Sequence, residues 1–289
     1  MSVSSFQNLI HFRFELTCSM LHDPRGVPEG FVGRLPRAEE FRSVEEFSDA
    51  VIHALEAQSS GAPVVHSIAR LKYSAVRAEV FLSDYAKTGT PVVLTDAAQS
   101  MGYDMDLWQP LGLVAKIPDY PIVRRPSGRD YDKMNEDLGD RSLAEYVADA
   151  ADHSYGANNM LHPALIPSIV LPDLGFPRHC FRLMDTRLWI GKGETGAHLH
   201  QDIQDNCLLQ LAGCKRVSLQ PPHHAAHLDP WGVTPFLRSS RSSGGQSVEV
   251  MLSAGDMLYI PSGWWHATQN VAPAGEAAVS LNFFMSGKL

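Results

Sequence analysis

The sequence predicts a mainly β chain with a helical N-terminal part, its β-rich portion closing as a sandwich or barrel. Three observations predict this. From about residue 179 onward, short apolar and β-branched runs recur between turn residues, with no long helical pattern among them. Amphipathic helical periodicity is confined to the region before that point. Of the 289 residues 44% are hydrophobic and 19% charged, enough apolar material for a packed core and too much for a disordered chain.

The elements follow in order. The first 35 residues carry turn signals at Pro24-Arg-Gly and Val27-Pro-Glu-Gly and little else. A helix is expected over about 43–57. Ser43 and Glu46 have capping-box spacing, and Val44, Phe47, Ala50, Val51, Ala54 and Leu55 make one apolar stripe. Ser59-Ser-Gly-Ala-Pro63 ends it, which separates a 1–63 helical extension from a 64–289 domain. A second helix is expected from about Ala75 to Lys87, stopped at Gly89, and Pro91-Val-Val-Leu94 reads as a buried strand. Another strand is expected near residue 122, and a helix over Leu143 to Ala150 begins at Ser142-Leu-Ala-Glu145. The β-like runs are Phe181–Met184, Arg187–Ile190, Asn206–Leu211, Lys215–Gln220, Val248–Leu252, Asp256–Ile260 and Ala278–Phe284.

Charge and cysteine usage exclude several classes. With 32 acidic against 24 basic residues the net charge is -8, which opposes a large nucleic-acid footprint. No run approaches the length of a membrane span, and the N-terminus lacks the basic start and apolar stretch of a signal peptide. Cys18, Cys180, Cys207 and Cys214 form no CxxC pair, so they are expected to be reduced in a cytoplasmic protein.

Three of the 13 histidines carry the chemistry. In Gly196-Ala-His-Leu-His-Gln-Asp202 the period of a strand puts positions 198, 200 and 202 on one face. His266 follows a strand and a Pro/Gly turn in Gly255-Asp-Met-Leu-Tyr-Ile-Pro-Ser-Gly-Trp-Trp-His266. Two imidazoles and one carboxylate on one face of a metal make the facial triad of non-haem Fe(II) oxygenases, so His200, Asp202 and His266 are the candidate ligands and catalytic centre. A second reading stays open, in which His198, His200, Asp205 and His266 form a histidine-rich cupin site for other metals and other chemistry. The His223, His224 and His227 cluster reads as solvated loop.

The stretches His200-Gln-Asp-Ile-Gln-Asp-Asn206, Gln210-Leu-Ala-Gly-Cys-Lys-Arg216, Pro221-Pro222, Ala254–His266 and Ser280-Leu-Asn-Phe-Phe284, preceded by Gly89-Thr-Pro-Val-Val-Leu94 and Trp108, resemble the JmjC-related, cupin-like 2-oxoglutarate oxygenases. That family includes an asparaginyl hydroxylase and the wybutosine-synthesis hydroxylase. The resemblance spans roughly residues 64–289. It implies a double-stranded β-helix, the jelly roll of cupins, with Fe(II) on His200, Asp202 and His266 and 2-oxoglutarate as co-substrate. It further implies Lys215 as the partner of the co-substrate's distal carboxylate, with Asn206 and Asn282 lining the same pocket. Arg216 is expected on the opposite face, and Trp189 and Trp265 are expected in the core. Relatives often carry Ser or Thr three residues before the first ligand and Pro two before it; here Ala197 and His198 stand there, with Thr195 out of phase. For the tyrosine that relatives turn toward the co-substrate, the nearest candidate is Tyr155.

The implied reaction consumes O₂ and 2-oxoglutarate and hydroxylates an unactivated C–H, first on a peptide or protein side chain, alternatively on a free amino acid or small biosynthetic intermediate. A metal-binding cupin without 2-oxoglutarate chemistry is a third class. The short stretch after Phe284 leaves little room for a C-terminal dimerisation helix, so the expectation is a monomer or a weak homodimer built through residues before about 90.

Overall fold

A computed structural model describes residues 66–127, 138–202, 204–222, 228, 230–234, 237–240, 247–273 and 276–285. The helix expected over 43–57, the 1–63 extension, Cys18 and the 223–227 histidines lie outside the described residues. Strands run in chain order as β1 Ala69–Lys72, β2 Val92–Thr95, β3 Pro121–Ile122, β4 Arg124–Arg125, β5 Arg141–Ser142, β6 Tyr155–Met160, β7 Phe181–Lys192 and β8 Gly196–Asp202. They continue as β9 Asp205–Ala212, β10 Cys214–Gln220, β11 Pro230–Thr234, β12 Leu237–Ser240, β13 Val248–Leu252, β14 Met257–Ile260, β15 Trp265–Val271 and β16 Ala277–Met285. The short helices are α1 Ala78–Phe81, α2 Ala97–Met101, α3 Pro110–Lys116 and α4 Leu143–Ala148.

Two sheets dominate. One has eight strands in the order β1-β2-β14-β9-β16-β7-β6-β4, the other six in the order β11-β12-β8-β15-β10-β13. Long antiparallel strands alternate between the two sheets along the chain, the jelly-roll arrangement the sequence predicts. Several expected elements change. The runs at 181–184 and 187–190 are one continuous twelve-residue strand, β7. The strand near 122 splits: β3 pairs β5 in a separate two-stranded sheet, and only β4 joins the edge of the large one. The helix expected over 75–87 is one α turn, α1, followed by a π-helical turn at Leu82–Ala86, and the chain leaves it through Gly89 at φ +62°. α4 begins with the full capping box: Ser142 Oγ accepts from Glu145 N, and Glu145 answers to the Ser142 N–H.

The period of two sorts the large sheet's residues into two cores. Val92, Leu94, Cys207, Leu209, Met257, Tyr259, Leu281 and Phe283 face outward, where the helices bring Phe81, Ala98, Trp108, Leu113, Leu143 and Tyr146 against them. The residues between them face the barrel interior. One part of that interior is apolar: Val93, Leu208, Val217, Leu219, Leu252, Leu258, Ile260 and Trp264. The other holds buried polar side chains, among them Lys215, Asn206, Gln210, Asn270, His266, Ser280 and Asn282.

Candidate metal centre

β8 and β15 are neighbours in the six-stranded sheet, and their register sets His266 directly across from His200. The imidazole centroids are 4.2 Å apart. Asp202, two residues along β8, points to the same face, and its Oδ2 lies 3.5 Å from His266 Nε2. One ligating atom from each of the three falls within 4.8 Å of the others, the spacing three ligands need to share one cation. Both rings turn Nδ1 to a backbone carbonyl, His200 to that of His198 at 2.7 Å and His266 to that of Trp264 at 3.0 Å. An Nδ1–H donated to a carbonyl fixes the tautomer and leaves each Nε2 lone pair for a metal.

The turn that delivers His266 is tied down on several sides. Gly263, at φ +84°, lets the chain reverse and donates its N–H to the Asp202 carbonyl at 2.9 Å. Ser262 N donates to Asp205 Oδ1 at 2.7 Å, and Trp264 Nε1 donates to the Gly89 carbonyl at 2.9 Å. Asp205 therefore braces the turn, and it stands apart from the histidines that the alternative site would join to it. His198 faces inward beside His200 with ring centroids 5.9 Å apart, but it is not one of the three converging groups. Burial first, then the neighbouring His200, drops His198 to a pKa of about 4. Burial also raises the Asp202 carboxyl and holds His266 well below the usual imidazole range. Each shift disfavours the charged form, and a divalent cation is what would restore the carboxylate.

Lys215, on β10, is fully buried. Its Nζ donates to Ser280 Oγ at 2.5 Å and to the Tyr155 hydroxyl at 3.3 Å, and among the described residues no carboxylate pairs with it. Desolvation alone pulls its pKa down to about 7. Arg216 faces the other way, exposed, and donates to Gln269 Oε1 at 3.2 Å. Asn206 is 1% exposed, and among the described residues neither of its amide atoms has a partner. Asn282 is also buried, on the inward face of β16 two residues from Ser280. A buried amide like that of Asn206, and a buried ammonium without a counter-charge, are costly unless a polar ligand completes them.

Tyr155, the nearest sequence candidate for the co-substrate tyrosine, shares the pocket with Lys215 although 60 residues separate them. Two features escape the sequence reading. Trp189, expected in the core, faces inward and stacks on Tyr155 with centroids 5.7 Å apart at 29°, so it lines the pocket; Trp265 is the core residue, packed with Leu199 and Leu228. The hydroxyl missing at Ala197 stands on the adjacent strand: Thr268 is directly across from it, and its Oγ1 accepts the Ala197 N–H at 3.2 Å. Only the register of β8 against β15 could have located it.

A model of the cupin-like domain matches residues 77–288. The chain belongs to the cupin-like domain family, in its JmjC-related branch. It is 25% identical over 241 residues to the lysine-specific demethylase JMJ30 of Arabidopsis thaliana, covering 75% of this chain and 54% of that protein. Identity to the Jumonji C domain-containing protein 5 of Drosophila melanogaster is 27%, over 60% of this chain and 43% of that one. A shorter match, 35% over 97 residues, covers 30% of this chain and 9% of the tRNA wybutosine-synthesizing protein 4 of Emericella nidulans. The chain thus spans about half or less of the length of these relatives. Among the described residues no helix is long and apolar enough to cross a membrane.

Proposed function

We propose that the chain is an Fe(II)- and 2-oxoglutarate-dependent oxygenase that hydroxylates an unactivated C–H, on a peptide or protein side chain. One juxtaposition carries the reading: a convergent His200–Asp202–His266 set in the same polar interior as a buried lysine with no acidic partner among the described residues. Two imidazole nitrogens and one carboxylate oxygen suit Fe(II), and an unpaired ammonium suits a dicarboxylate. When bound, iron and 2-oxoglutarate would supply the oxidation, in which one atom of O₂ goes to the new C–OH and the other to succinate, while the co-substrate's keto-acid carboxylate leaves as CO₂. The protein's own residues position and shield. His200, Asp202 and His266 would hold the metal, with their Nδ1 bonds orienting the two rings. Lys215, with Ser280 and Tyr155, would take the distal carboxylate, and Asn206 and Asn282 would line the space between. Trp189 and the apolar interior keep bulk water away.

The relatives' names bear on the substrate. Hydroxylation of an N-methyl carbon gives an unstable hemiaminal that loses formaldehyde, so side-chain hydroxylation and the demethylation named for the Arabidopsis relative are one C–H chemistry. The test is succinate release from 2-oxoglutarate by the Fe(II)-loaded protein, with lysate peptides and metabolites screened by mass spectrometry for oxygen gain or methyl loss. Oxygen gain or methyl loss on a peptide supports the reading, and modification of a small metabolite alone overturns its substrate assignment. A protein that binds metal but makes no succinate overturns the reading.

A further inference from the structure

We infer that Asn270 is a further binding residue for the co-substrate, donating its amide to the same distal carboxylate as Lys215. The inference rests on the 2-oxoglutarate reading. Asn270 lies on β15 directly across from Lys215 of β10, and both side chains are buried on the barrel's inward face. Directly opposed residues on one face of an antiparallel pair have Cβ atoms only about 5 Å apart. Asn270 is 1% exposed, yet its Oδ1 has no hydrogen-bond partner among the described residues. Its Nδ2 lies 3.2 Å from Thr195 Oγ1.

That pairing works equally well reversed. A hydroxyl donates as readily as it accepts, and amide oxygen and nitrogen differ only by a rotation of the group. With the amide turned over, Thr195 donates to Oδ1, and Nδ2 takes the place of the orphaned oxygen on the residue that faces Lys215 across the strand pair. It then offers N–H donors to an anion. The ligand decides the orientation: a carboxylate on Lys215 repels a carbonyl oxygen and attracts an amide nitrogen.

The amide is also clamped. A Cβ on Gly191 of β7 would fall 2.1 Å from Asn270 Nδ2, 2.5 Å from Thr195 Oγ1 and 2.8 Å from Tyr155 Cδ2. Only glycine lets the β7 backbone approach so closely. Four strands thus bring polar side chains together in one part of the interior: Lys215 from β10, Asn270 from β15, Ser280 from β16 and Tyr155 from β6.

The test is calorimetric titration of 2-oxoglutarate into Zn(II)-loaded wild type, Asn270→Leu and Asn270→Asp, with 2-oxobutyrate, which lacks the distal carboxylate, as comparator. Zn(II) affinity and melting temperature are measured alongside. Asn270→Leu keeps the size and removes the donors, so 2-oxoglutarate should bind about tenfold more weakly. Asn270→Asp puts a carboxylate against Lys215 and should weaken it at least about 30-fold while the melting temperature holds or rises. Affinity for 2-oxobutyrate should change less than twofold in both, so the preference for the dicarboxylate collapses. Equal weakening of both keto acids would mean a structural role and overturn the inference, as would unchanged 2-oxoglutarate binding in both variants. If wild type itself binds no 2-oxoglutarate, the proposed function falls and this inference with it.

Discussion

The two faces of the eight-stranded sheet are built from the same strands and do opposite work. On β16, Val279, Leu281 and Phe283 point outward and are sealed under the helices, while Ser280 and Asn282 point inward. On β9, Cys207, Leu209 and Leu211 point outward; Asn206 and Gln210 point inward with unpaired amide atoms. The outer face buries apolar area and stabilises the fold. The inner face, toward the His200–Asp202–His266 set, buries polar atoms that find no partner among the described residues, which costs stability in the ligand-free protein. A sheet whose stability comes from one face can give the other to a ligand.

The sharpest break between the faces is expected at Asp202. Asp202→Ala removes the sole carboxylate of the metal set, and succinate release should fall below detection with the melting temperature unchanged within a few degrees. His198→Ala, on the same face of β8 beyond His200, should keep metal binding; the reverse pattern in a metal titration would favour the histidine-rich alternative.

On the inner face again, Lys215→Ala leaves a carboxylate without its ammonium. Truncating one partner of such a pair costs about 2–5 kcal/mol, so the apparent KM for 2-oxoglutarate should rise at least about 30-fold. On the outer face, Leu281→Ala opens a cavity between sheet and helices and should cost about 2–5 kcal/mol of unfolding free energy in denaturant melts. Its metal affinity should stay within twofold. If Leu281→Ala damages binding as much as stability, the division between the faces is wrong.

A smaller effect is set by pH. Folded, Lys215 loses its proton near 7; unfolded, it keeps it to about 10.5. Across that window the unfolded chain binds more protons, so this residue makes the ligand-free protein more stable as pH rises from about 7 toward 10.5. Binding a carboxylate needs the charged lysine, so affinity for 2-oxoglutarate should move the other way, weakening by up to about tenfold per pH unit above 7. Melting curves and titrations at pH 6.5 to 9 test both slopes, and Lys215→Met should flatten the first. The smallest change belongs to Arg216→Ala. It removes only an exposed bond to Gln269 and should shift stability by under about 0.5 kcal/mol, with no change in co-substrate affinity.

Much of the fold and part of the candidate site were legible in the residues alone. The alternation in Ala278–Phe284 and in Asn206–Leu211 marks strands with one apolar face, and β8 runs from Gly196 to Asp202 as its HxHxD pattern suggests. The Ser142–Glu145 capping box starts α4 where it should. Illegible were β6, β15 and the short β11 and β12, which lack a continuous apolar or alternating run, and the fusion of two runs into β7.

What the sequence by itself determined was local: which side chains share a strand face, where a helix begins, and which residue types could bind a metal. A side-chain period of two needs only neighbouring residues, so His200 and Asp202 are set on one face by two positions of chain. The tertiary structure alone decided what lies across each strand. It set His266 opposite His200, Thr268 opposite Ala197 and Asn270 opposite Lys215, and it brought Tyr155 and Trp189 to the same pocket. The reason is that register comes from backbone hydrogen bonds between segments far apart in sequence, and a slip of one residue would turn every one of these side chains to the other face.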